Sequence, residues 1–443
     1  MIDIELYRAR RLRLAQQMQR GVAVLATARE QLRNRDAHFP YRFDSYFHYL
    51  TAFPEPDAVL VITAGAQSTS MLFCRDKDIE REIWDGFRYG PQGAKDAFGF
   101  DEAFSIKDLD SMLPKLLADQ PTIFCDVGES EAWDARLMQW LNAVRMQVRT
   151  GISAPGEIRD VRKLLDDMRL IKDAAELTTM RRAAQISCEA HRRAMQVTKP
   201  DMAEYQVEAE LLHTFRRHGA QAPAYTPIVA GGANACVLHY VANDQPLREG
   251  DLLLIDAGCE LDGYASDITR TFPVNGHFQG AQRAVYELVL AAQAAAIAQV
   301  KPGNHWEQPH EAAVRTLAQG FIDLKLCAGT VDAVIESGDY RKFYMHRTGH
   351  WLGMDVHDVG AYRTTADAPE GQEKAWRNLQ PGMMVTVEPG IYVRPAPGVP
   401  EQYWDIGIRI EDDVLVTENG CEIISGSAPK TVTEIEAVMK HSA

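Results

Sequence analysis

Two aspartates on either side of a hairpin turn place the strongest constraint on how this sequence folds. They lie in the run LLLIDAGCELDGYASDITRTF, residues 252–272, which begins as an apolar strand and leads directly into Asp256. Asp267 follows eleven residues later. The pair Asp262-Gly263 favours a two-residue hairpin turn, because both residues tolerate the positive φ that this turn requires. The two arms of the hairpin therefore bring both carboxylates to one region of the fold.

The register across this turn decides where the two carboxylates point. If Leu261 pairs with Tyr264, then Asp256 lies opposite Thr269. Asp267 is two residues from Thr269, so it shares a face with Asp256 as a diagonal neighbour. Two carboxylates about 5 Å apart repel by about 3 kcal/mol at an effective dielectric of ~20, and burial adds a desolvation cost to each. The pair therefore needs a shared cation, a shared proton, or a register slip that sends one aspartate to solvent.

Composition describes an ordinary globular protein and excludes two classes of partner. The chain has 443 residues, 46% of them hydrophobic and 25% charged, so we expect two domains. A formal net charge of −15 disfavours nucleic acid and anionic membrane surfaces as partners. No apolar run approaches the ~20 residues of a membrane span, and the amino terminus carries no secretory signal. Seven cysteines without a CxxC pair predict reduced thiols, and these features together predict a cytoplasmic protein.

The pattern of predicted secondary structure changes once along the chain. Up to about residue 150, short apolar strands such as GVAVLAT and DAVLVITA alternate with amphipathic helical stretches, which predicts an α/β domain. A break marked by Gly and Pro follows at GISAPGEIRD, residues 151–160. Beyond it, helical stretches alternate with antiparallel hairpins. We therefore predict an α/β amino-terminal domain over residues 1–170 and an α+β domain over residues 171–443.

The second predicted domain holds a cluster of histidines. His239 lies in VLHY, and MHRTGHWLGMDVHDVG carries His346, His350 and His357 within twelve residues, interleaved with glycines. Such a cluster is unusual for a core, although a single histidine more often hydrogen-bonds within the protein than binds a ligand. His305 and His310, in NHWEQPHE, are predicted by the same standard to be surface residues.

Two glutamates lie on strand-like runs nearer the carboxyl end. The run MMVTVEPGIYV reaches Glu388 and is stopped there by Pro389-Gly390. In IGIRIEDDVLVT, period-two alternation places Arg409 and Glu411 on one face. Glu411 can therefore be either a metal ligand or the partner of Arg409 in a structural ion pair.

Two aspartates, two glutamates and one histidine make an oxygen-rich, nitrogen-poor ligand set without a thiolate. Such a set suits Mn²⁺, Co²⁺ or Fe²⁺ better than a structural zinc. Five ligands exceed the need of one hydrolytic ion. They match a dinuclear site, with ions about 3.5 to 4 Å apart, which lowers the pKa of a bridging water.

These motifs resemble those of a known enzyme family. DAGxxxxGYxxDITRTF, HRTGHWLGMDVHD, TVEPGIY and GIRIEDD, in that order, are similar to the signature of the metal-dependent pita-bread peptidases. YRFDSYFHYLTAFPEPDAVLVI and EIWDGFRYG extend the resemblance over nearly the whole chain, to the bacterial aminopeptidase P family. The resemblance implies a creatinase-like α/β amino-terminal domain and an α+β pita-bread catalytic domain of two pseudo-symmetric halves.

The resemblance also implies roles for nine residues by their positions in these motifs. They are, as metal ligands, Asp256, Asp267, His350, Glu388 and Glu411; as substrate-handling histidines, His239 and His357; and, in supporting positions, His346 and Arg409. Glu388 is also the expected proton shuttle. The implied cofactor is two divalent metal ions, with manganese first and cobalt, iron or zinc as alternatives.

The activity implied by the resemblance is hydrolysis of the amino-terminal Xaa-Pro bond of peptides. The expected substrates are peptides with proline at the second position, and the expected assembly is a homodimer or homotetramer. Two departures from relatives bear on substrate size: Arg347-Thr348 stands where a small Gly-containing pair is common, and the loop at residues 362–378 is longer.

Other proteins of the same fold supply the alternatives. Prolidase, a dipeptidase for Xaa-Pro, shares the metal ligands but needs a group that captures the proline carboxylate, and the sequence identifies none. Methionine aminopeptidase normally lacks such an amino-terminal domain, and creatinase works without metals. An inactive pita-bread peptide-binding module would have lost the ligands, so the intact set favours an enzyme.

Overall fold

The chain folds into two compact units, Met1–Met168 and Arg169–Ala443. The computed structural model describes residues 3–128, 130–364 and 373–440. None of the helices within these described ranges is long and apolar enough to cross a membrane. All seven cysteines are free and five of them are buried, which confirms the predicted reduced thiols.

The first unit is built on a six-stranded mixed sheet. Its core packs strand residues such as Val24 and Phe73 against helix residues such as Leu113 and Leu137. The helices are Ile4–Met18 (α1), Ser45–Thr51 (α2), Ile79–Asp85 (α3), Gly90–Phe98 (α4), Leu109–Leu117 (α5) and Glu131–Arg145 (α6), with Arg162–Leu170 (α7) at its end. The strands are Gly21–Ala26 (β1), Leu32–Asn34 (β2), Ala37–His38 (β3), Val59–Ala64 (β4), Thr69–Cys74 (β5), Glu102–Ser105 (β6), Thr122–Cys125 (β7) and Glu157–Asp160 (β8). Six of these strands form the sheet, in the order β6-β5-β4-β1-β7-β8. The predicted α/β alternation is confirmed.

The second unit packs long helices against small antiparallel sheets, as an α+β domain does. Its helices are Ala174–Val197 (α8), Glu204–Arg217 (α9), Gly280–Ile297 (α10), Gln308–Asp323 (α11), Val331–Ser337 (α12) and Val432–Lys440 (α13). Its strands are Ala222–Pro223 (β9), Ile228–Gly231 (β10), Leu252–Asp256 (β11), Cys259–Leu261 (β12), Tyr264–Ala265 (β13), Thr269–Pro273 (β14), Met384–Val387 (β15), Gly390–Val393 (β16), Ile406–Arg409 (β17), Asp412–Thr417 (β18) and Gly420–Ile423 (β19). The longest helix, α8, begins with a capping box between Asp173 and Glu176.

The hairpin turn predicted at Asp262 is confirmed. Asp262 has a φ of +49°, in the left-handed region that this turn requires. Leu261 pairs with Tyr264 across the turn. Farther along the arms, Asp256 pairs with Thr269 in the predicted register.

The arms of this hairpin approach each other closely at Gly258. A Cβ atom on Gly258 would overlap the carbonyl oxygen of Ser266, so the position requires glycine. The ladder is interrupted there, and the hairpin divides between two sheets. Its tip, β12 and β13, joins β9, whereas its base, β11 and β14, joins β10. Asp256 therefore stands at the end of the buried strand β11, next to the interruption.

Candidate active site

A cavity of ≈ 640 Å³ in the second unit contains all nine site residues that the sequence singled out. Five separate segments of the chain supply them. Apolar side chains such as Ile228 and Leu238 share the wall with the ionisable ones. The ionisable side chains on the wall are Asp256, Asp267, Glu388, Glu411, His239, His346, His350, His357, Arg347 and Arg409, with the phenols of Tyr225 and Tyr362.

Tyr225 joins the two hairpin aspartates. Its hydroxyl lies 2.6 Å from Asp256 Oδ1 and 2.5 Å from Asp267 Oδ1. Burial raises the pKa of Tyr225 well above its usual range, and the two carboxylates raise it further, so the phenol keeps its proton and donates it. Burial, with the charge of Asp267, also raises the pKa of Asp256.

His350 is the positive partner of this acidic pair. Its Nδ1 donates to the carbonyl oxygen of Trp351 at 2.9 Å, which leaves Nε2 facing the acids. Nε2 lies 3.4 Å from Asp267 Oδ2 and 3.8 Å from Glu388 Oε1. Burial alone would lower the pKa of His350, but these two carboxylates raise it to about 9. Burial likewise opposes ionisation of Asp267, whose pKa the His350 ring nevertheless lowers.

The surroundings of the two glutamates raise the pKa of both carboxyl groups. Burial raises the pKa of Glu388 to about 7. Glu411 is 1% exposed, and its burial, with the charges of Asp267 and Glu388, raises its pKa well above the usual range. One oxygen of Glu411 accepts a hydrogen bond from Thr269 Oγ1 at 2.7 Å. The ionised form of each glutamate is therefore unfavourable unless a cation lies close to it.

Arg409 pairs with Asp256, so the alternative of a structural Arg409–Glu411 bridge is wrong. Its Nη2 lies 2.7 Å from Asp256 Oδ2, and its Nη1 donates to the Tyr392 hydroxyl at 2.9 Å. Tyr392 in turn lies 2.8 Å from His346 Nε2. Burial and then the charge of Arg409 lower the pKa of His346 to about 3, so this imidazole is neutral and accepts from Tyr392.

His239 and His357 are exposed in the cavity and are the histidines that a bound molecule can touch. His357 packs edge-on against His350, with ring centroids 4.3 Å apart. Partial burial and the neighbouring His350 charge lower the pKa of His357. His357 is therefore neutral near pH 7 and can donate one hydrogen bond.

The donor set fits a hard divalent metal. Asp267, His350 and Glu411 each offer a ligand atom, and these atoms lie within 4.8 Å of one another. Asp256 and Glu388 line the same cavity. Four carboxylates, two of them buried and two partly buried, share this space with one buried guanidinium among the described residues, and such an excess of negative charge is costly without a cation. The chemistry of the side chains thus favours metal binding.

The metal-free protein is expected to lose stability as the pH rises from about 4.5 to about 9. The lower limit is the ordinary pKa of a glutamate in the unfolded chain, and the upper limit is the raised pKa of His350 in the folded protein. Glu388, with its pKa raised to about 7, and His350, at about 9, both bind protons more tightly when folded. The stability that these protons provide is complete below the unfolded pKa values and lost as the pH passes the folded ones. Melting curves in chelator across this range test the sign, and a rising melting temperature would contradict it.

Several residues of the site carry no sequence signal. Tyr225 lies between prolines in APAYTPI, and nothing in that run indicates that it reaches two aspartates. Trp306 and Trp376 also line the cavity. His305 and His310, predicted as surface residues, are instead half-buried, and His310 Nδ1 lies 2.8 Å from Thr348 Oγ1. Of the loop at residues 362–378, residues 365–372 lie outside the described residues.

A buried acidic cluster with neutral and charged histidines, in a cavity large enough for a peptide end, is the site of a metal-dependent hydrolase. The sequence matches Metallopeptidase family M24 over residues 178–418 and the Aminopeptidase P, N-terminal domain over residues 7–124. The chain belongs to metallopeptidase family M24. The domain boundary predicted between residues 170 and 171 lies between these two segments and stays a prediction.

Relatives with the same two-part organisation match nearly the whole chain. The Xaa-Pro aminopeptidase of Haemophilus influenzae is 46% identical over 437 residues, which cover 98% of this chain and 97% of the relative. The solved structure of Pseudomonas aeruginosa aminopeptidase PepP is 49% identical, with a TM-score of 0.96 over 100% of this chain and 99% of that one. An Escherichia coli aminopeptidase P variant in complex with substrate has a TM-score of 0.95 at 42% identity, over 100% and 99% of the two chains. The predicted fold class, a creatinase-like domain followed by a pita-bread domain, is confirmed.

Proposed function

We propose that this chain is an Xaa-Pro aminopeptidase, which hydrolyses the bond between the first residue of a peptide and a proline in the second position. The observation that carries the proposal is the cluster of four acids around His350 inside an otherwise partly apolar cavity, with Asp267 and Glu411 buried and Asp256 and Glu388 partly buried. The Xaa-Pro aminopeptidase of Haemophilus influenzae, 46% identical over almost the full length, supports the choice of reaction.

The metal centre is proposed to hold two divalent ions, with manganese preferred. The ligands would be Asp256, Asp267, His350, Glu388 and Glu411, a set rich in oxygen and poor in nitrogen that suits Mn²⁺. Bound ions of this kind polarise a carbonyl and lower the pKa of water, which supplies a nucleophile at neutral pH.

Two histidines and one glutamate perform the proton chemistry in this proposal. His239 and His357 are exposed in the cavity, where an imidazole N–H can donate to the oxygen of the scissile carbonyl as negative charge develops. Glu388, whose carboxylate lies on the cavity wall 3.8 Å from His350 Nε2, can accept a proton from the attacking water and pass it to the leaving nitrogen. His346 and Arg409 support the site through other residues, because their polar atoms are bonded to Tyr392 and Asp256.

The leaving nitrogen belongs to proline, and this determines how the rest of the pocket must recognise the substrate. A proline nitrogen in a peptide bond has no N–H to donate, so recognition of this residue must come from its ring. Ile228, Leu238, Val241 and Val356 provide apolar surface on the cavity wall. The free ammonium of the first residue would be attracted to the acidic cluster.

A dipeptide and its one-residue extension distinguish this proposal from the prolidase alternative. We expect Xaa-Pro-Yaa to be cleaved with a kcat/KM at least about tenfold above that of Xaa-Pro. The dipeptide brings its carboxylate next to the proline ring, close to four acids, and leaves downstream contacts unused. The measurement is kcat/KM with Mn²⁺ supplied, and mass spectrometry locates the cut. A dipeptide that is preferred tenfold would identify a prolidase.

A homodimer or homotetramer is proposed for the assembly. Four large apolar side chains are exposed together in the first unit: Ile79, Ile83, Trp84 and Phe87, at 75%, 77%, 82% and 66%. Patches of this kind commonly mark protein contacts. Sedimentation as a monomer at micromolar concentration would refute the proposal. The cytoplasmic location expected from the sequence stays a prediction.

A further inference from the structure

Arg347 stands on the wall of the same cavity as the acidic cluster. Its side chain is 52% exposed, and its Nη2 forms an ion pair with Glu307, whose side chain is 15% exposed. The guanidinium carbon lies 5.5 Å from the centroid of the Trp376 ring, which also lines the cavity. An acidic and an aromatic neighbour thus hold the arginine against the wall.

Arg347 differs from Arg409, the other arginine on this cavity wall, in the exposure and the bonding partners of its guanidinium group. The Arg409 side chain is 4% exposed and is committed to Asp256 and Tyr392. A guanidinium has five N–H donors in a planar fork, and the ion pair of Arg347 engages the Nη2 end. Among the described residues that line the cavity, Arg347 is therefore the arginine that offers donors to an incoming anion.

The position of Arg347 next to the acids indicates which part of a bound peptide its side chain contacts. The neighbouring residue Thr348 accepts a hydrogen bond from the Glu388 backbone N–H at 2.8 Å, so Arg347 is anchored next to the acidic cluster. Under the proposed function, the substrate ammonium lies among the acids and the chain leaves toward solvent with its carboxyl side outward. The exposed Arg347 side chain then faces the residues that follow proline.

We propose that Arg347 binds the terminal carboxylate of short substrates, and so makes the enzyme prefer Xaa-Pro-Yaa tripeptides that end in a free acid. This inference rests on the proposed function of the site. A carboxylate matches the fork of a guanidinium, and a charge-assisted pair of this kind is stronger than a neutral hydrogen bond. The Glu307 carboxylate orients the fork, and Trp376 limits its motion.

The test compares one tripeptide as a free acid and as its carboxyl-terminal amide. The wild-type metal-loaded enzyme is expected to favour the acid by about tenfold in kcat/KM, and Arg347→Gln is expected to bring this ratio close to one. High salt should lower the wild-type ratio, because the pair is partly exposed. Arg347→Lys, which keeps the charge but not the fork, should retain part of the preference and covers the case in which the glutamine variant misfolds.

Arg363→Gln is the matched control. The Arg363 guanidinium lies 3.8 Å from the same Trp376 ring, yet Arg363 is not on the cavity wall. This variant should keep the acid-to-amide ratio of the wild type. A wild type without acid preference, or an equal ratio in Arg347→Gln and wild type, would overturn the inference while both peptides are still cut between Xaa and Pro. Failure to cut either peptide at that bond would instead refute the proposed function.

Discussion

Asp267→Asn is expected to lose most bound metal and to lower kcat/KM by roughly 10³-fold or more. Asp267 is 5% exposed and is one of three residues whose ligand atoms lie within 4.8 Å of one another. An amide retains the shape of the carboxylate but removes the negative charge that binds a divalent ion. It also removes one of the two carboxylates that raise the pKa of His350, so the variant loses two features of the site together.

The fold of this variant is expected to survive. The hairpin is held by the ladder between β11 and β14 and by buried apolar residues such as Leu253 and Phe272, none of which the substitution touches. Metal content by elemental analysis and melting curves in chelator separate loss of metal from loss of fold. Asp262→Asn is the matched control, because Asp262 is exposed at the turn and asparagine tolerates its φ of +49°. Full activity with unchanged metal content in Asp267→Asn would refute the ligand assignment.

Local sequence signals were sufficient for the hairpin but not for its partners. The Asp-Gly turn fixes a register, and the register places Asp256 opposite Thr269 without any knowledge of the rest of the fold. The choice between a shared cation, a shared proton and a slipped strand needed the surroundings. Those came from distant segments: Tyr225, Arg409 and His350 reach the two aspartates only after the chain has folded.

The pairing of Arg409 shows why a two-residue pattern can mislead. Period two places Arg409 and Glu411 on one face of an ideal strand, but β17 ends at Arg409 and β18 begins at Asp412. Glu411 lies in the connection between these strands, where Thr269 donates to it. The guanidinium is then closer to Asp256, a residue 153 positions away in the sequence. A contact of this range is decided by tertiary packing, which local periodicity does not describe.

Replacement of His350 and of His357 by alanine should separate metal binding from substrate handling. The two rings are neighbours, 4.3 Å apart, but their surroundings differ. His350 faces Asp267 and Glu388 through Nε2 and has its pKa raised to about 9 by them, as a metal ligand among acids does before metal binds. His357 has its pKa lowered and is exposed in the cavity.

His350→Ala is therefore expected to lose metal, whereas His357→Ala should keep metal content near wild type and lower kcat and kcat/KM together by roughly 10²-fold or more. That pattern results when a hydrogen bond made only in the transition state is removed, because ground-state binding, and hence KM, changes little. His357→Gln serves as a partial rescue, since its amide N–H can still donate. Elemental analysis and steady-state kinetics on one Xaa-Pro-Yaa peptide give all the required values. Equal loss of metal in both alanine variants would mean that His357 belongs to the metal centre, and a raised KM with unchanged kcat would place it in substrate binding alone.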